Sequence, residues 1–245
     1  MRFKAGYLLF AVAAVVLTAA AIATAASKPA APKSVVLGKT TNYPPPGCPT
    51  PSTCEVVARV TGIQMMADGV AHPFRAPKTG TLVSWWLKLP PLRATQMRSF
   101  NSFFGGDPAA RISVLRRGVK GRFRLIDQGP TQSIKADLGT KGRVRYKLVQ
   151  PLRVQAGDYI GLTAVTWIPA FAVNLDATQN YWLASRSRKL CATPSSKDPK
   201  RFAAYYKTNQ AHLTASTAKL YQCTYQTARL LYWARIVPDA ETATP

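Results

Sequence analysis

Catalysis needs titratable side chains within reach of one another, and this chain supplies few of them. Its two histidines are His72 and His212, and its glutamates are Glu55 and Glu241. Asp68 stands four residues before His72, yet Gly69 between them and Pro73 just after predict a turn rather than a helix that would align the pair. His212 has no acid near it in sequence. The chain contains no H-E-x-x-H or G-x-S-x-G motif, and no close pair of acids marks a glycosidase site. Asn174 and Asp176 offer two oxygens, far short of the roughly six to eight that Ca²⁺ takes. The cysteines lack the paired spacing of a zinc module. The expectation is a protein that is not an enzyme and that carries neither a metal nor a cofactor.

Residues suited to binding are better represented. Trp85-Trp86, Tyr181-Trp182 and Tyr232-Trp233 are adjacent aromatic pairs inside predicted strands. Neighbouring strand residues point to opposite faces, so each pair places one ring in the core and one outside. Outward rings at Trp86, Tyr181, Trp182, Tyr232 or Trp233 would suit stacking on sugars; the competing arrangement has the loops 92–107 or 192–222 lying over them. Basic residues alternate likewise: Arg122 and Arg124 on one strand, Arg143, Arg145 and Lys147 on another. If those strands pair, they form a cationic stripe flanked by Arg116, Arg117 and Lys120, attractive to phosphate-bearing polymers. A solvated face without a defined partner would show the same alternation. No nucleic-acid signature accompanies the charge, so a nucleic-acid module is not expected.

These residues are positioned by strands. In Arg143–Val165, Val144, Tyr146 and Leu148 alternate with the basic residues. Pro151 interrupts the pattern, Leu152 and Val154 resume it, and Ala156-Gly157-Asp158 supplies a turn before Tyr159, Ile160 and Leu162. Further strands are predicted at Glu55–Val60, Gly62–Met66, Val83–Leu89, Arg111–Leu115, Arg122–Asp127, Thr131–Leu138, Ala170–Leu175, Tyr181–Arg186 and Ala228–Val237. Residues 93–107 read as an inserted loop with a helical turn near Thr95–Phe100. In 192–222, short helices are expected at Phe202–Tyr206 and Ala211–Leu220. The fold class is all-β, an antiparallel β-sandwich that is jelly-roll-like, with one long disulfide-tethered loop.

Pro73–Leu89, the ARISVLRRG strand at Ala110–Gly118 and PLRVQAGDYIGL at Pro151–Leu162 resemble the jelly-roll domains of exported, mostly uncharacterised surface proteins of actinobacterial type. The resemblance spans about 165 residues and carries no catalytic motif. It implies fold and export rather than an activity.

The chain ends support export. Arg2 and Lys4 precede an uncharged run from Ala5 to Ser27, and Ala23-Thr24-Ala25 has the small-x-small form of a cleavage site. Residues 1–25 are expected to be a signal peptide, 26–53 a Pro/Ala-rich linker, 54–238 the sandwich and 239–245 a tail. Membrane attachment would come only through an uncleaved leader. An even cysteine count behind a signal favours the pairs Cys48–Cys54 and Cys191–Cys223, whose loops are worth ~2.4 and ~3.7 kcal/mol at most. The net charge is +23, or +21 once Arg2 and Lys4 are removed, which favours anionic surroundings. The expected role is a secreted or envelope-associated binding or structural domain for anionic cell-wall polymers or polysaccharides. Rival roles are a secreted hydrolase acting on wall polysaccharide and a self-associating adhesin or coat subunit.

Overall fold

The computed structural model describes residues 32–47, 54–192, 194, 197–208 and 210–240. The expected leader and the Cys48–Cys54 pair, through Cys48, lie outside the described residues.

Eight strands make the frame: β1 (Val35–Leu37), β2 (Val57–Ala67), β3 (Gly80–Leu87), β4 (Ala109–Arg117), β5 (Arg122–Gln128), β6 (Val144–Val154), β7 (Tyr159–Ile168) and β8 (Tyr232–Pro238). They pair antiparallel in the orders β1-β8-β3-β6 and β2-β7-β4-β5. Consecutive strands switch sheets everywhere but at the β4–β5 hairpin, which is the jelly-roll arrangement. The larger sheet is widened by Tyr181–Ala184 and Cys223–Gln226 beyond β2, and by Ala218–Leu220 beyond β5.

Alternation explains the small sheet. Along β6, Leu148, Leu152 and Val154 are buried while Arg145, Lys147 and Arg153 are exposed, and Tyr146 stacks on Trp85 at 4.6 Å. Pro151 does not end the strand. Leu82 lies opposite Leu152 and Ser84 opposite Lys147, so residues 148–151 bulge past Val83 and leave Val149 95% exposed. A bulged edge strand has no partner on its far side, so a residue without an N–H is tolerated there. Leu82, Trp85 and Leu87 meet Ile112, Val114, Ile160 and Leu162 between the sheets.

Where two backbones approach most closely, the residue is Gly80. A Cβ there would lie 2.3 Å from the Val237 carbonyl oxygen and 2.7 Å from Pro238 Cα. Gly80→Ala must therefore part β3 from β8, at about 1–3 kcal/mol. A lowered melting temperature in a circular-dichroism scan is the expected outcome, and an unchanged one would show that the strands part freely.

The structure differs from the sequence reading at several places. Val35–Leu37, assigned to the linker, is a strand of the sandwich pairing with Ala234–Ile236. The two predicted strands before Ala67 are one, bulged at Arg59, which adopts φ 48°. The inserted loop holds a full helix, α1 (Ala94–Phe104). Thr131–Leu138 yields only the short strand Gln132–Ser133 and a 3₁₀ turn. Ala211–Leu220 is not helical; it ends in the strand Ala218–Leu220. The helix predicted at Phe202–Tyr206 runs from Pro199 to Lys207 (α2), with Asp198 accepting from the Arg201 N–H at 3.0 Å. The Cys191–Cys223 disulfide is present and brackets α2, its Cα atoms 5.0 Å apart.

The outer face of the large sheet is covered. Tyr221 packs with Ile63, Met65, Phe123 and Tyr159 at one place, and α1 with α2 buries Trp167 at another.

Candidate anion-binding cleft

Two hollows of about 450 and 490 Å³ share His72, Arg75, Ala156 and Gly157 at one end of the sandwich. They form where the segment 72–77 runs along the β6–β7 turn. The Ala76 N–H donates to the Asp158 carbonyl at 2.7 Å, and the Gly157 N–H to the Ala76 carbonyl at 2.9 Å. The Ala156-Gly157-Asp158 turn read from the sequence is thus part of the site. Gly157 has φ 91°, and a side chain there would meet the Arg75 guanidinium at 3.5 Å.

Within the cleft, Asp158 is buried and accepts three hydrogen bonds. Its Oδ1 accepts from Arg116 Nε at 2.8 Å, and its Oδ2 from Arg116 Nη2 at 3.0 Å and the Gln155 N–H at 2.9 Å. Both Arg75 and Arg117 line the same cleft. Among the described residues, neither guanidinium has a side-chain hydrogen bond or an ion pair. His72, at φ 51°, sits 3.3 Å through Nδ1 from the Tyr159 hydroxyl. Burial first, then the charges of Arg117 and Arg75, hold its pKa below the ordinary value. His72 and Asp158 share a wall but form no hydrogen bond: the imidazole Nδ1 is turned to the Tyr159 hydroxyl and the carboxylate to Arg116 and the Gln155 N–H. The arrangement suits holding an oxoanion between forked donors.

The expected binding residues scatter. Arg122 and Arg124 lie on β5 in the large sheet, whereas Arg143, Arg145 and Lys147 belong to or precede β6 in the small one. The single cationic stripe therefore does not exist. Arg124 is instead opposite Arg116, its Nη1 donating to the Ser216 carbonyl at 2.7 Å. Arg116 and Arg117, expected only as flanks, are the cleft.

The aromatic platform also fails. Trp182, Tyr232 and Trp233 are 3%, 1% and 1% exposed. Trp182 stacks on Tyr225 at 4.6 Å and Tyr232 on Phe74 at 3.8 Å, both in the core, and Tyr181 is half-buried. Trp233 does face outward, but Tyr43 and the Arg143 guanidinium, 4.7 Å from its ring, lie over it. Trp86, opposite Trp233 and Arg145 in register, is half-buried between the guanidiniums of Arg145 and Arg235, each 5.4 Å away. Cation–π contacts thus lie over the rings of Trp86 and Trp233 on this face. Over Trp86 and Trp233 the covering comes from Tyr43 and arginines, whereas Tyr181 packs against the cluster that holds Tyr221 of the 192–222 segment.

Arg75 carried no local signal, because its neighbours in the cleft come from residues 116–117 and 155–159. Fold and site together define a jelly-roll β-sandwich with a cationic cleft at one end. Comparison with family models, with curated proteins and with solved structures returned no match.

Proposed function

We propose that this is a non-catalytic binding domain that works outside the cell, at the envelope, and holds segments of anionic polymer in the cleft of His72, Arg75, Arg116 and Arg117. One observation carries the reading: among the described residues, two arginines without side-chain acceptors converge on a concave site whose carboxylate, Asp158, is paired with a third, Arg116. The large excess of positive charge supports it, since it concentrates polyanions near that site. The disulfide is compatible with an oxidising compartment. A phosphate-bearing or carboxylate-bearing wall polymer fits better than a neutral glycan, because the outward indoles are covered. A hydrolase reading has less to stand on, given a histidine and a carboxylate that share a cleft without a hydrogen bond between them.

Titration calorimetry against polyphosphate over a salt series tests this. Arg75→Gln with Arg117→Gln removes two exposed cations without touching the core. Affinity should fall at every salt concentration, and the slope of log K against log salt should shrink by about 1.4, at ~0.7 per cation. An unchanged slope, or equal binding of a neutral glucan, would overturn the proposal.

A further inference from the structure

Away from the cleft, α1, α2 and the start of β2 line a half-open cavity of about 610 Å³. Its wall is mostly apolar and aromatic, including Val57, Phe100, Phe104 and Phe202, with the exposed Glu55 at its edge and not paired with Arg186. Into this wall the fold sets Arg186, a side chain missed in the sequence because nothing near it in the chain marks it as buried. It is 5% exposed. Its Nη1 donates to the Tyr225 hydroxyl at 2.7 Å and its Nη2 to the Ala58 carbonyl at 3.2 Å, while its guanidinium lies 5.2 and 5.9 Å from the rings of Tyr205 and Tyr206. Every one of these partners is neutral. Among the described residues no carboxylate pairs with it, and its Nε has no acceptor. Trp182, on the same wall, also has an unpartnered buried N–H.

A buried cation is ordinarily paired with an anion, because burial strips its hydration and neutral hydrogen bonds replace only part of it. Here the counter-charge is missing beside an apolar space of small-ligand size. Polyanions do not fit such a wall; a molecule with one anionic head and a long apolar body does. We infer that the cavity binds an acyl-chain carboxylate, its head at Arg186 and its chain among the phenylalanines. Two of the five guanidinium donors are spent on Tyr225 and Ala58, which fixes the group's plane for the incoming carboxylate. The site is separate in residues and chemistry from the cleft of Arg75 and Arg117.

The test is a fluorescence titration of the full chain with cis-parinaric acid beside the corresponding alcohol. The acid should saturate one site per chain, and the alcohol should bind at least about tenfold more weakly, a difference of about 1.4 kcal/mol. Arg186→Met, which keeps the apolar stem, should erase that preference. Should this variant fail to fold, Val56→Trp, which narrows the cavity from its partly buried rim, should abolish binding of both probes. Equal binding of acid and alcohol by the unaltered protein, or no saturation at about 100 μM probe, would overturn the inference. So would loss of acid binding in the Arg75→Gln, Arg117→Gln protein, which would place the probe in the other site; retained binding there separates the two.

Discussion

Replacing Asp68 by Asn is expected to destabilise the protein by about 3–5 kcal/mol, the cost of leaving a buried cation without its partner. Its partner is Arg229, whose side chain is 3% exposed against 14% for Asp68. Arg229 Nη1 donates to Asp68 Oδ2 and to the Asn42 carbonyl, both at 2.9 Å, and the Asn42 N–H donates to the same carboxylate oxygen at 3.1 Å. The pair therefore ties the segment after β1 and the end of β2 to the chain just before β8. Burial pushes the Arg229 pKa down and the Asp68 charge opposes it, which is the electrostatic form of the same dependence. Urea unfolding at neutral pH measures the loss. Asp68→Leu with Arg229→Met removes both charges and should be less damaging than Asp68→Asn alone. A single variant within about 1 kcal/mol of the parent protein would show that the ion pair is not needed.

The second large effect is a loss of stability in mild acid, traced to His212. The imidazole is fully buried. Thr217 spends its hydroxyl proton on the Thr214 carbonyl at 2.6 Å, so Nε2 of His212 donates to Thr217 Oγ1 at 3.0 Å, and Nδ1 accepts from the Tyr221 hydroxyl at 3.2 Å. That is a satisfied neutral ring. Burial, with Lys219 nearby, lowers its pKa from 6.5 to about 4. A folded pKa below the unfolded one means that the unfolded chain takes up the proton first. Stability from this group is complete above pH 6.5 and is lost as pH falls toward about 4. The loss amounts to about 3 kcal/mol over that window. Asp107, Asp176 and Asp239 are held below the ordinary carboxylate range and titrate beneath it. His72, also held below its ordinary value, adds to the same window, so His212→Gln should make the unfolding free energy shallower, not flat, between pH 7 and roughly 4.5; an equally steep dependence in that variant would assign the effect elsewhere.

What was legible in the sequence was local. The alternation of Val144, Tyr146 and Leu148 with arginines is a property of one strand, and the Ala156-Gly157-Asp158 turn needs only its own residues. Both stand in the structure. The proposed stripe was not local: it required β5 and β6 to be neighbours. In a jelly roll the chain changes sheets between them, and alternation along a strand says nothing about which strand lies beside it. The aromatic pairs failed for a related reason. Period two correctly sent Trp85 inward and Trp86 outward, but what covers Trp233 is Tyr43, far away in the chain. Helices α1 and α2 were under-read because their apolar faces pack on a sheet face that no local pattern shows to be open.

Strand β1 has a further consequence. It is three residues long, yet it lies along β8, while the opposite border of that sheet, β6, carries Pro151, a bulge and a row of cations. Both borders are thus unsuited to receiving a strand from another chain. Proteolytic trimming past Leu37 would bare the backbone of β8 on one side and open it to extended peptides, so three residues guard that border.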